Sequence, residues 1–196
     1  PATAEALSAP VTPPAPGDDV LAYVIDWSHF NAPRAVNRIL RHELRATVIP
    51  DPVRLETPSG FVDVPRGAVI VPTRRQDVSA EDIYALIVRA VEEDGVTVHA
   101  SLTSRTPSGS DLGGFSTEAL EAPKVLLLTG RAGSSGVSDN HVGEVWHYLD
   151  QMLHIPVTMI DIASVSPRHL ADHSPVIVCV GSYGHPSDTI VASVRT

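Results

Sequence analysis

The unbroken apolar run VLLL at 125–128, with a Gly/Ser-rich loop directly behind it, constrains the fold of this sequence most strongly. Strands without polar alternation are typical of parallel sheets that are buried on both faces. After the loop, the pattern indicates a helix, a strand at 157–162, a short helical turn at 166–171 and a strand at 176–180. This order opens a doubly wound parallel α/β sheet, which is the fold predicted for the second part of the chain.

The helix of this second part is indicated by an amphipathic pattern. Its apolar positions recur at helical spacing ahead of Pro156, and they are Val142, Val145, Trp146, Leu149, Met152 and Leu153. Glu144 and His147 fall between the apolar positions, so we expect them on the solvated side. Fifteen residues follow Gly181, and the sheet is therefore expected to be incomplete at its C-terminal end.

The first part of the chain predicts a smaller α/β unit with a hairpin and a connecting loop. Its expected elements are a strand at 21–25, a helix from Asn31 to about Arg45, a strand and hairpin at 47–72, a helix after Ser79, a strand at 96–100 and a loop at 101–121. The helix after Ser79 is the most clearly marked, because Ser79 and Asp82 form a capping box and Gly95 follows the last turn. Its apolar stripe comprises Ile83, Leu86, Ile87, Ala90 and Val91.

Composition sets the domain boundaries and excludes two kinds of partner. Residues 1–20 are interpreted as a Pro/Ala-rich linker without a fold, residues 21–122 as the small α/β unit, and residues 123–196 as the parallel α/β domain. The net charge of −9 argues against nucleic-acid binding, which requires a basic surface. Since no apolar run approaches the length of about 20 residues that spans a bilayer, no membrane span is predicted.

Histidines suggest one candidate metal site. His141, Glu144 and His147 are spaced three residues apart, so a helix would bring them toward one face. A zinc site would need a further ligand from a distant strand, and none of the four later histidines lies in a comparable setting. Because the chain has a single cysteine, a cysteine-rich zinc site is also excluded. We therefore predict no metal ligand in this chain.

Two possible nucleophiles, Cys179 and Ser182, follow the last predicted strand. Neither is flanked by glycines as a nucleophile elbow requires, and Cys179 is expected to pack as a small apolar side chain. The Gly-rich segments 130–136 and 181–184 resemble anion-binding loops only weakly, and tight turns are the simpler interpretation. At 26–29, the polar sequence DWSH is interpreted as a strand end at which Trp27 covers the sheet edge.

Several strings together resemble one known type of domain. PKVLLLTG at 123–130, GEVWHYLDQ at 143–151 and PVTMID at 156–161 are similar to the class I glutamine-amidotransferase-like domain that follows the catalytic domain in some bacterial zinc carboxypeptidases. GAVIVP at 67–72 and SDLG at 110–113 resemble the connecting region of the same proteins. The resemblance implies a flavodoxin-like, class I amidotransferase-like parallel sheet over residues 123–196.

The resemblance also implies a function for the chain. It would be a noncatalytic accessory or interaction domain of a zinc metallocarboxypeptidase-family protein, in a periplasmic or secreted location. Peptide hydrolysis and the zinc would belong to the catalytic peptidase domain of the same parent chain, which would also be the partner. No catalytic, cofactor-binding or metal residue is assigned here. The residues carried over from the family motif are structural, namely Asp111, Gly113, Gly143, Glu144, Trp146, His147 and Asp150.

A second class of function stays open on the sequence. The chain could be a stand-alone amidotransferase-like or hydrolase enzyme that uses Ser182 or Cys179 as its nucleophile. The sequences on either side of the chain in its gene would discriminate the two hypotheses. An upstream zinc peptidase favours the accessory domain, and a downstream nucleophile strand favours the enzyme.

Overall fold

The computed structural model describes residues 10, 12–17, 19–130 and 137–179. The chain divides into two compact units, Pro1–Glu121 and Ala122–Thr196. Most of the Gly-rich loop after residue 130 lies outside the described residues, as do Ser182 and the whole 181–184 turn. The mixed α/β class predicted from the sequence is confirmed, because the chain combines a parallel sheet with antiparallel sheets.

Unit 1 is built on a five-stranded antiparallel sheet. Its strand order is β6-β1-β5-β2-β7, and a separate hairpin pairs β3 with β4. The elements of unit 1 are β1 (Ala22–Ile25), α1 (Ala32–Arg41), β2 (Thr47–Val48), β3 (Val53–Thr57), β4 (Gly60–Val64), β5 (Val69–Pro72), α2 (Ala80–Asp94), β6 (Val98–Ser101) and β7 (Glu118–Ala119). We predicted a loop where β7 pairs with β2 at the sheet edge.

The sheet of unit 1 separates two apolar cores. Tyr23 and Ile25 pack with α1 and α2 on one face, whereas Ala22 and Val24 pack with the β3–β4 hairpin on the other. Both faces of β1 are therefore buried, which explains why its sequence is apolar without polar alternation.

Helix α2 forms as predicted, and α1 ends earlier than predicted. The Ser79 hydroxyl accepts a hydrogen bond from the Asp82 backbone N–H, and Gly95 ends α2 in a left-handed conformation at φ 68°. Helix α1 ends at Arg41 instead of about Arg45, because Glu43 turns the chain with a positive φ of 59°. The side chain of Asn31 makes no capping hydrogen bond and donates instead to the backbone carbonyl of Asp94.

Part of the Pro/Ala-rich N-terminal segment packs against unit 1. Residues 12–17, which we call the strap, include the buried side chain of Pro13. Its backbone accepts hydrogen bonds from the hydroxyls of Tyr23 and Tyr84. We expected no fold from the composition of residues 1–20, and these two tyrosine contacts are long-range features that composition does not encode.

Unit 2 is built on a three-stranded parallel sheet of order β10-β8-β9. Its elements are β8 (Val125–Thr129), α3 (Asp139–Trp146), a π-helical stretch (His147–Met152), β9 (Val157–Asp161), a 3₁₀ turn (Ile162–Ser164), α4 (Pro167–Ala171) and β10 (Val176–Val178). The predicted strands at 125–128, 157–162 and 176–180 correspond to β8, β9 and β10.

The predicted amphipathic helix changes character halfway along its length. Val142, Val145 and Trp146 pack against the sheet as expected, but Met152 is 42% exposed. The helix continues from Trp146 as a π-helix, in which each turn holds an extra residue. The α-helical period used in the prediction therefore places Met152 on the wrong side. Among the described residues, no helix is both long enough and apolar enough to span a membrane.

Candidate functional site

The carboxyl ends of the parallel strands form the candidate ligand site of unit 2. Since β9 and β10 flank β8 on opposite sides, the strand order reverses at β8, and α/β sheets bind ligands at such a reversal. Thr129 and Asp161 lie side by side at this edge, and Cys179 directly follows β10. The Asp161 carboxylate is already used locally, because its Oδ1 accepts the backbone N–H of Ala163 at 2.8 Å.

Cys179 is a core residue in this structure. It is 5% exposed and packs with Leu127 and Val137 beneath α3. Burial raises the pKa of the Cys179 thiol, so the thiol form is favoured at neutral pH. The thiolate is the nucleophilic form of cysteine, and this environment therefore disfavours nucleophilic chemistry. The other candidate nucleophile, Ser182, lies outside the described residues.

The histidine motif of unit 2 lies on the solvent side of α3 and its π-helical continuation. Glu144 and His147 are exposed, while Trp146 between them packs toward the core. Within the described ranges, no group of three His, Cys, Asp or Glu side chains is arranged to hold a metal ion.

The remaining motif residues take part in local structure. Asp111 Oδ1 accepts the backbone N–H of Thr106 at 2.9 Å and so closes a turn of the connecting loop. Gly113 adopts a positive φ of 83°, which favours glycine. Gly143 is exposed within α3, and Asp150 accepts a hydrogen bond from the neighbouring Gln151 side chain. Both hydrogen bonds join residues that are close in the sequence, so they support local structure.

In unit 1, polar side chains gather where β1 ends and β6 begins. Asp26 Oδ1 accepts hydrogen bonds from the backbone N–H and the hydroxyl of Ser28, at 2.8 and 2.6 Å. His29 Nε2 lies 2.9 Å from the Thr97 hydroxyl. Trp27 is 41% exposed and lies against Gly67, where an added Cβ would approach its ring to 3.2 Å.

His99 joins this polar region, although it was not among the residues predicted from the sequence. It lies on β6 opposite Val24 and lines a cleft of about 240 Å³ between the strap, the turn of the β3–β4 hairpin and β6. Burial lowers the pKa of His99, and the negative charge of Asp26 partly opposes this effect. The imidazole is therefore favoured in its neutral form. The signal in the sequence was a lone histidine within the strand pattern VTVHA at 96–100.

No protein-family model matches the chain, and neither a similar curated protein nor a similar solved structure was found.

Proposed function

We propose that this chain is a noncatalytic accessory or interaction domain of a zinc metallocarboxypeptidase-family protein. Its partner is the catalytic peptidase domain of the same parent chain, which carries the zinc and hydrolyses the peptide. The observation that carries the proposal is an apolar patch on the parallel sheet of unit 2, where Val176 and Val178 are 36% and 51% exposed.

The strand register defines the composition of this patch. Val176 and Val178 pair with Leu126 and Leu128 of the central strand, so these four side chains lie on one face of the sheet. The two leucines are buried, whereas the two valines on the outer strand are not. The exposed surface of the patch is therefore formed by the two valines, and exposed apolar side chains that lie together on one face of a sheet support a role in protein interaction.

The finer fold assignment is part of the same proposal. Across the sheet, the strand that comes first in the sequence, β8, lies in the middle, with the second strand, β9, on one side and the third strand, β10, on the other. This arrangement supports a flavodoxin-like, class I amidotransferase-like sheet, in which the first strand also lies between the second and the third. The buried thiol of Cys179 supports a structural rather than a catalytic use of that sheet.

The test begins with the gene that encodes the chain. If its reading frame holds a zinc peptidase domain upstream, that domain is expressed separately and its affinity for this chain is measured by calorimetry. We expect Val176→Asp to weaken binding at least about tenfold, because a carboxylate would be desolvated in the apolar contact. Val78→Asp in unit 1 is the matched control, since Val78 is 37% exposed, and it should leave the affinity unchanged.

Two results would overturn the proposal. One is a gene without a peptidase domain, or a peptidase domain that does not bind the chain. The other is hydrolysis of peptide, glutamine or ester substrates by the purified chain that disappears in Ser182→Ala or Cys179→Ala. The second result would establish the stand-alone enzyme.

A further inference from the structure

Two tyrosines hold consecutive proline residues of the strap. Tyr23 Oη donates a hydrogen bond to the carbonyl oxygen of Pro14 at 3.0 Å, and Tyr84 Oη donates to that of Pro13 at 3.0 Å. The ring centroids of Tyr23 and Tyr84 are 6.0 Å apart. One tyrosine comes from the sheet and the other from α2, so the fold itself sets this pair of donors.

The strap and β6, the edge strand of the sheet, line the same cleft. Asp26 donates its backbone N–H to the carbonyl of Thr97, and bonded and non-bonded pairs alternate in an antiparallel ladder. The backbone groups of Val98 and Ala100 therefore point away from β1, toward the edge. Ala100 pairs with Tyr23 across the two strands, so a small side chain lies next to the tyrosine on the same face of the sheet.

A proline-rich segment suits this edge for a physical reason. Proline has no backbone N–H, so such a segment cannot continue the sheet as a regular strand. It can still offer carbonyl oxygens to side-chain hydroxyls. Grooves lined by aromatic residues recognise extended proline-rich peptides in this manner, because these peptides lose little conformational entropy on binding.

The groove extends beyond the strap. The cleft of about 240 Å³ lies between Pro13 and Pro14 on one side and the hairpin residues Pro58 and Val62 on the other, with β6 as its third wall. An open depression of about 610 Å³ continues past Pro14 to Leu102. A ligand with side chains larger than those of the strap would have room here.

We propose that the groove that holds the strap, where Tyr23 and Tyr84 donate hydrogen bonds and where Pro58, Val62 and Val98 line the adjoining cleft, is a binding site for extended proline-rich peptides. The strap is its ligand within the chain, and a proline-rich segment of another protein binds when it displaces the strap. Because the strap is covalently attached, its effective concentration at the groove is about millimolar or higher, and it competes with any external peptide.

The direct test uses a variant that lacks residues 1–17. A synthetic peptide with the sequence of residues 10–17, PVTPPAPG, is titrated into this variant, and one bound peptide per chain is expected. Tyr84→Phe removes one hydrogen bond and should weaken binding about fivefold. Tyr148→Phe is the matched control, since Tyr148 lies in unit 2, and it should leave the affinity unchanged. A peptide with Pro13→Ala and Pro14→Ala should bind more weakly than the native peptide.

A second measurement uses the whole chain and holds even if the truncated variant does not fold. The chain is isotope-labelled, and the carbonyl carbon shifts of Pro13 and Pro14, which accept the two tyrosine hydrogen bonds, are followed by NMR with and without excess unlabelled PVTPPAPG peptide. We expect both shifts to move toward those of the free peptide when the peptide is added, and the Pro13 shift to move also in Tyr84→Phe but not in Tyr148→Phe. Unchanged carbonyl shifts in both experiments would overturn the proposal. So would a folded truncated variant that fails to bind the peptide, or that binds the alanine-substituted peptide equally well.

Discussion

The most tightly enclosed charge described in the chain is the carboxylate of Asp94, whose side chain has no exposed surface. Arg34 Nε lies 2.8 Å from its Oδ1, and Arg38 approaches both of its oxygens through hydrogen bonds of 2.9 and 3.1 Å. The hydrogen bonding that Arg38 donates to the Asp94 carboxylate is the largest cause of the raised pKa of Arg38. Since the arginines belong to α1 and Asp94 ends α2, these contacts connect the two helices of unit 1.

We predict that Asp94→Asn destabilises unit 1 by about 3–5 kcal/mol, because removing one partner leaves buried charge without compensation. The free energy of unfolding is measured by urea titration, with Trp27 fluorescence as the probe. Asp77→Asn is the control, since Asp77 is 92% exposed and lies 3.6 Å from an exposed Arg45. That substitution should have little effect. Equal losses from the two substitutions would show that the buried carboxylate has no special structural role.

Because the pKa of Tyr23 is raised in the folded chain, we predict that stability depends on pH in the alkaline range. Desolvation by burial, with a smaller contribution from Tyr84, raises the pKa of Tyr23 from 10.0 to about 12. Between these values the unfolded chain releases the tyrosine proton and the folded chain retains it. The free energy of unfolding should therefore fall as pH rises from 10 toward 12. Tyr23→Phe should reduce this slope relative to Tyr148→Phe, as measured by urea titrations across the pH range. Identical slopes would contradict the pKa shift.

At the scale of single elements, both ends of helix α2 could be predicted, because each end carries a local sequence signal. Ser79 and Gly95 define α2 through a side-chain hydrogen bond and a left-handed residue, which are properties of nearby sequence. The end of α1 depends on a positive φ at Glu43. The sequence does not indicate this conformation, because glutamate rarely adopts a positive φ. The π-helical continuation of α3 could not be predicted either, because its residues also fit an α-helical pattern.

Two glycines give opposite predictions at this scale. Gly95→Ala should destabilise α2 by about 1 kcal/mol, because the left-handed conformation at φ 68° is unfavourable for alanine. Gly143→Ala within α3 should instead stabilise the chain by about 0.5–1 kcal/mol, since alanine is the better helix former. An added Cβ would have open space at both positions, so backbone conformation decides the sign. Thermal unfolding measures both changes, and shifts in the same direction would contradict this explanation.

The polar region of unit 1 shows why the candidate site was only partly predictable. The sequence at 26–29 already indicated a polar cluster at a strand end. Its partner Thr97 lies 68 residues from His29, and only the antiparallel pairing of β1 with β6 brings the two together. The same strand pairing brings His99 into this polar region. Such long-range register depends on the whole sheet, so spacing along the chain could not place these residues in one region. The strap contacts were hidden for the same reason.

At the scale of the whole molecule, each unit carries its own apolar interior. The core clusters of unit 1 include the fully buried Ile87, and those of unit 2 include the fully buried Leu127. The chain has two tryptophans, Trp27 in unit 1 and Trp146 in unit 2. Each unit therefore has an intrinsic fluorescent probe, and the stability of each core can be measured in the intact chain.

We predict that a cavity in one core destabilises the unit that contains it. Leu127→Ala should cost about 2–5 kcal/mol in the transition reported by Trp146, and Ile87→Ala should cost a similar amount in the transition reported by Trp27. Trp27→Phe and Trp146→Phe backgrounds isolate the two signals, with each background measured alone as the reference. If both probes shift equally in both cavity variants, the units unfold as one cooperative body. If each probe responds only to its own cavity, the separate cores determine separate stabilities, because the lost packing is confined to the side chains around each cavity.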